Sequence, residues 1–89
     1  MKLQEKIKNE VIKVFKDKFN YTCSINDISI DKTPKNFSGF YTLILFPHLK
    51  NLKINLEEAG NIIGDSLIRN SKIISDYNLV KGFLNFDLK

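Results

Sequence analysis

Leu3, Ile7, Val11, Phe15 and Phe19 recur every four residues at the start of the chain, with Val14 beside them and polar residues between. That stripe predicts an amphipathic helix from about residue 2 to 19, which holds together only if something apolar covers its face. In a chain of 89 residues the cover has to come from the rest of one small domain, because a chain this size buries only about 60 to 65% of the surface its unfolded form exposes. The remaining sequence offers strands for the purpose. Ile28 and Ile30 alternate with Asp27, Ser29 and Asp31 as a short half-buried strand. A basic loop from Lys32 to Asn36 follows, since Pro34 restricts its neighbour and cannot donate to a ladder. The aromatic and branched run from Phe40 to Phe46 reads as a central strand.

Pro47 suits the first turn of a short helix reaching about Leu52. Asn55 and Glu58 have the spacing of a helix cap, and Leu56, Ala59, Ile63 and Leu67 continue at helical spacing to about residue 69. Gly60 and Gly64 each weaken that helix by about 1 kcal/mol relative to Ala, and close packing against a neighbouring element is their expected reason. Ile73, Ile74, Tyr77, Leu79 and Val80 predict a third strand, and Lys81-Gly82 a tight turn into a fourth, Phe83 to Leu88. The order predicts an α+β fold: an antiparallel four-stranded sheet with two long helices and one short helix packed mainly on one face. The other face, or an edge, would stay open to a partner.

Composition narrows what such a domain does. With 43% hydrophobic and 27% charged residues the chain has the makeup of a soluble globular domain, and no window approaches the roughly 18 apolar residues of a membrane span. The N-terminus is too polar for a secretory signal, so the expected location is cytoplasmic, with no membrane partner. Cys23 and His48 are the only residues of their kinds, which leaves neither a disulfide framework nor a zinc-ligand set. No nucleophile with a base, no carboxylate pair and no glycine-rich phosphate loop is apparent, and no catalytic residue, cofactor or metal site is assigned to the chain. The formal charge of +4 comes from lysines, Arg69 being the single arginine among 14 basic residues, which favours loose phosphate contact over bidentate clamping.

Binding is the better supported class. In an extended strand Phe83 and Asn85 stand side by side on one face. A ring that stacks beside an amide that reads hydrogen bonds suits one unpaired base. Phe40 and Tyr41 are further aromatic candidates, and Lys32, Lys35 and Lys81 are basic residues near strand ends. The bland alternatives stand beside this one: Phe83 as a core residue, and Asn85 as the tether of a neighbouring backbone loop.

The closing run Val80-Lys81-Gly82-Phe83-Leu84-Asn85-Phe86, together with Thr33-Pro34-Lys35-Asn36-Phe37-Ser38-Gly39-Phe40-Tyr41-Thr42 and Phe46-Pro47-His48-Leu49-Lys50, resembles the N-terminal additional domain of arginyl-tRNA synthetase over the whole chain. The chain departs from that pattern at Phe40, where Asp is usual, at His48-Leu49, where Leu-Ala is common, and at Asn55, where Pro is frequent. The resemblance implies a single N-terminal tRNA-binding domain, residues 1–89, that contacts the D-loop at the outer corner of tRNA(Arg). It implies Phe83 stacking on a D-loop base and Asn85 bonding its edge; Lys32, Lys35, Tyr41 and Lys81, read from residue type and place in the strands, are the further candidate contacts. It also implies a parent class I arginine–tRNA ligase that uses ATP with magnesium and supports protein synthesis, whose catalytic domain is a second partner. The catalytic signatures of that class are absent here, so the chain alone is expected to be non-catalytic, and monomeric. Two other classes remain as alternatives: a stand-alone protein-interaction module using an open sheet face, and a small acylphosphatase-like enzyme, for which Arg69 is poorly placed.

Overall fold

The computed structural model describes residues 2–89. Helix α1, Leu3–Phe19, carries the predicted stripe, with Ile7, Val11, Val14 and Phe15 buried along one side. It ends where Asn20 adopts a left-handed backbone (φ 52°): the Asn20 N–H reaches the Lys16 carbonyl and the Tyr21 N–H the Phe15 carbonyl. Asparagine tolerates that conformation better than most residues, and the paired bonds satisfy carbonyls the helix would otherwise leave bare. Strand β1, Ile30–Lys32, is shorter and later than the strand expected around Ile28. The reason is local: Ile25–Asp27 winds into a 3-10 turn in which the Asp27 carboxylate accepts from the Ser24 N–H at 3.0 Å.

Strand β2 is Tyr41–Ile44, not the whole apolar run from Phe40 to Phe46. Leu45 turns to helical backbone, and Phe46–His48 forms a 3-10 turn with Pro47 near its start that leads into helix α2, Leu49–Leu52. Helix α3, Leu56–Asn70, starts as the spacing indicated, Asn55 Oδ1 accepting from the Glu58 N–H at 2.9 Å. Strands β3, Ile74–Val80, and β4, Phe83–Leu88, join through Lys81, itself at φ 55°, and Gly82. The four strands form one antiparallel sheet in the order β1-β2-β4-β3, the α+β arrangement expected.

Register and alternation sort the sheet into two faces. Ile30, Leu43, Leu84 and Phe86 are buried on the face covered by α1 and α3, joined by Ile74 and half-buried Tyr77 and Leu79. Asp31, Thr42, Ile44, Asn78, Phe83 and Asn85 fall on the other face. The two glycines of α3 explain how close the helix lies to β3. A methyl group on Gly60 would sit 2.8 Å from Leu79, and one on Gly64 would sit 2.5 Å from the Tyr77 ring. Packing, as expected, is what these positions serve. The Tyr77 ring is fixed from its far end, its hydroxyl donating to Asp65 Oδ1 at 2.8 Å, and burial together with that carboxylate pushes its pKa up to about 12. Ala at position 64 gains about 1 kcal/mol of helix propensity, yet overpacking against a pinned ring costs about 1–3 kcal/mol. Gly64→Ala is therefore expected to lower the unfolding free energy in a urea titration, and an unchanged or raised midpoint would refute the packing account.

His48 ties the β2–α2 corner to α1. It is buried, its ring centroid lies 5.1 Å from that of Phe15, and its Nδ1 lies 3.2 Å from the Tyr21 hydroxyl. Burial pulls its pKa below 6.5, against the opposing field of Asp27. Because the folded imidazole gives up its proton more readily than the unfolded one, the unfolded state binds more protons as pH falls through 6.5. The stability His48 contributes is thus present above pH 6.5 and lost on acidification below it. The melting temperature should fall between pH 7 and pH 5.5 more steeply in the wild type than in His48→Gln; parallel profiles would show that His48 does not carry the effect.

Candidate nucleic-acid interface

The sheet face opposite the helices was expected to stay open, and it is partly roofed. The segment between β1 and β2 folds back over it, closed at its base by the Thr33 N–H to the Phe40 carbonyl (3.1 Å) and braced by the Phe40 N–H to the Phe86 carbonyl (2.7 Å). Gly39 makes the approach feasible: it sits at φ 135°, a backbone that side-chain-bearing residues rarely adopt, and a methyl there would lie 3.0 Å from Asn85 Cβ. The roof leaves a cavity of about 190 Å³. Thr42, Ile44, Phe83 and Asn85 line it from the sheet, Asp31 and Lys32 from β1, Pro34 and Phe37 from the loop. That volume lies below the roughly 300–1,000 Å³ of pockets for drug-sized ligands and suits one planar ring.

Asn85 is 0% exposed, although it stands on the non-core face of a central strand. A buried amide without partners costs several kcal/mol, and here both ends are engaged. Its Oδ1 accepts from the Thr42 hydroxyl at 2.5 Å, and its Nδ2 donates to Asn78 Oδ1 at 3.1 Å. Asn78 in turn donates to the Ser38 carbonyl at 2.8 Å, and the Thr42 hydroxyl lies 2.9 Å from that of Thr33. Of the two roles the sequence left open for Asn85, tethering the loop is the one these bonds serve directly. Phe83, by contrast, is half-buried against the cavity, with the ring of Phe46 set edge-on to it at a centroid distance of 6.5 Å.

The remaining candidates divide. Lys32 lines the cavity, and Lys35 stands exposed on the roof loop. Tyr41 pairs with Phe86 in register and packs half-buried against the core on the opposite face, so it does not join Phe83 and Asn85. Lys81 is exposed on the β3–β4 turn and borders a larger groove of about 960 Å³ beside α3. Glu57, Asp65 and Asp76 also border that groove and make it unsuited to a polyanion. Phe46, 56% exposed, was read from the sequence as part of a strand. Its signal was Pro47, which belongs to the 3-10 turn that carries the ring off the sheet; Gly82 opposite accommodates it, since a methyl there would lie 2.7 Å from Phe46 Cδ1. Among the described residues no group of three or more His, Cys, Asp or Glu could hold a metal ion, and no helix is long and apolar enough to cross a membrane. Arg69 is exposed in the last turn of α3, away from any cradle for a phosphate.

A four-stranded antiparallel sheet in this order, with two helices on one face and a ring-sized cavity on the other, defines a small α+β domain of known type. The same fold occurs in arginyl-tRNA synthetase of Thermus thermophilus, which superimposes with a TM-score of 0.79 at 20% identity over 99% of this chain and 14% of that one. No family model matches the sequence. Curated relatives do: the chain is 38% identical over 87 residues to the arginine–tRNA ligase of Amoebophilus asiaticus, and 32% identical over 85 residues to that of Parabacteroides distasonis. It spans 98% and 96% of its own length in these matches but only about 14% of the length of either relative. The chain is a homologue of one domain of arginine–tRNA ligases, and the resemblance drawn from its closing motif holds.

The bonding pattern at Asn85 has a consequence for stability. Asn85→Ala takes one hydrogen-bond partner from the buried Thr42 hydroxyl and one from the half-buried Asn78 amide, a loss of about 1–3 kcal/mol in all. Phe83→Ala, at a half-exposed position, should cost less. Chemical denaturation of the two variants checks the ranking, and a smaller loss for Asn85→Ala than for Phe83→Ala would contradict it.

Proposed function

We propose that the chain is a tRNA-binding domain of an arginine–tRNA ligase, a single N-terminal unit over residues 1–89 that receives one splayed D-loop nucleotide at the outer corner of tRNA(Arg). The observation that carries this reading is the ring-sized cavity beside Phe83, with an amide at its floor and a lysine at its mouth. Phe83 stacks on the base, Asn85 hydrogen-bonds its edge, and Lys32 and Lys35 meet the flanking phosphates as point charges. Tyr41 and Lys81 have no part in the pocket. Because Asn85 is wholly covered, a base reaches it only when Pro34 and Phe37, the loop residues that line the cavity, move aside while Ser38 keeps its bond to Asn78. Aminoacylation, with ATP, magnesium and arginine, belongs to the parent ligase and its catalytic domain, in the cytoplasm, and this chain contributes to it by holding the tRNA.

Stacking on an aromatic ring is worth about 1–3 kcal/mol, so Phe83→Ala is expected to weaken binding of a tRNA(Arg) transcript about 5- to 150-fold. Few lysines face the site, so the affinity should fall with salt along a shallow slope, which Lys32→Ala makes shallower still. Filter binding across a salt series reads both effects. If Phe83→Ala stays folded and binds as well as the wild type, the stacking role is wrong.

A further inference from the structure

Resting on the reading of Asn85 as the residue that faces the base, we propose that Asn78, on the neighbouring strand, is a specificity-determining positioning residue that sets which way round the Asn85 amide is presented. The two asparagines are direct cross-strand partners in the β3–β4 ladder. A carbonyl oxygen only accepts, so the group that Asn78 turns to Ser38, 2.8 Å away, is its Nδ2. Asn78 Oδ1 then faces Asn85, and the atom it meets at 3.1 Å has to be the Asn85 Nδ2. The Asn85 Oδ1 is left pointing to Thr42. Thr42 has one proton and spends it there, so the 2.9 Å contact between the two threonine hydroxyls carries the proton of Thr33.

One backbone carbonyl of the roof loop thus fixes the polarity of a relay that runs across β3, β4 and β2 and returns to the same loop at Thr33. An isolated asparagine can be flipped at little cost, and its two ends are told apart only by such a network. Asn85 keeps one N–H and one oxygen lone pair outside the relay. A donor beside an acceptor, in a fixed order, is what distinguishes one base edge from another. Asn78 contacts no base in this scheme and acts only through Asn85.

The test uses the 89-residue chain, labelled with nitrogen-15, titrated with the four tetraribonucleotides rA4, rC4, rG4 and rU4. Asn78→Leu removes both bonds that Asn78 makes. Asn78→Asp keeps the acceptor toward Asn85 and removes only the donor to Ser38. In the wild type the tightest and weakest of the four oligonucleotides should differ by about tenfold or more, the discrimination expected of a good amide–base pair. Asn78→Leu should compress that spread to within about threefold without abolishing binding. Asn78→Asp should weaken all four alike, through its added negative charge, and keep the spread. A wild type with no preference, a folded Asn78→Leu that keeps the wild-type spread, or an Asn78→Asp that loses it overturns the proposal. Should Asn78→Leu fail to fold, the Asn78→Asp result decides alone. Phe83→Ala separates the two readings: binding that it leaves untouched, or no binding by any form, removes the nucleotide pocket itself, whereas uniform weakening by Phe83→Ala with an unchanged spread in Asn78→Leu removes only the role of Asn78.

Discussion

A carboxamide with no exposure at all, on a central strand, is the constraint around which the outer half of this domain is arranged. Asn85 lies between Leu84 and Phe86, both buried, so the strand cannot slide to release it without exposing the core side chains on either side. Its hydrogen bonds therefore have to be found where it stands. They come from Thr42 on one side and Asn78 on the other, and those two residues in turn require Thr33 and Ser38. A loop rich in polar groups becomes a fixed roof because a single amide beneath it cannot be left dry and unpaired. The cavity beside Phe83 is the space that this roof fails to fill.

The inner half answers to a different rule, close approach. Gly60 and Gly64 let α3 rest on Leu79 and Tyr77 with no methyl between, and α1 closes the layer with Ile7, Val11 and Phe15. These residues were legible in the sequence because their signals are local: a four-residue repeat for α1, the Asn55 and Glu58 pair for the start of α3, two glycines one turn apart for its packing. The short helix Leu49–Leu52 and the Lys81-Gly82 turn announced themselves through Pro47 and through glycine in the same way. The strand edges were less legible. The apolar run from Phe40 to Phe46 reads as one strand because its residues all favour extended structure, and only the turn of Leu45 toward helical backbone shows where pairing ends.

Of the site, the side-by-side placement of Phe83 and Asn85 followed from strand periodicity alone, and the cavity has both in its lining. What periodicity could not supply was the rest of the wall. Pro34 and Phe37 arrive from a loop; behind the wall, Phe46 is set against Phe83 from a turn, and Asn78 reaches Asn85 through a strand pairing whose register depends on a tight turn of two residues. Tyr41 shows the same limit from the other direction: it is aromatic and close in sequence to Thr42, yet alternation puts it on the helix-covered face with Phe86. Residue type identified candidates, and strand parity decided which of them meet.

The strand order has a consequence of its own. The chain runs helix, strand, strand twice over, and β1-β2-β4-β3 sets the second strand of each half against the other at the middle of the sheet. Within the sheet the halves are thus joined along one seam, from Tyr41 opposite Phe86 to Ile44 opposite Phe83, with α1 packed on α3 behind it, and the cavity straddles that seam. A pocket on a peripheral loop can dissolve while its domain stays folded; this one persists only as long as both halves remain docked. Whatever occupies it acts as a rivet, and its binding energy is added to the cohesion of the whole domain rather than to one flap of it.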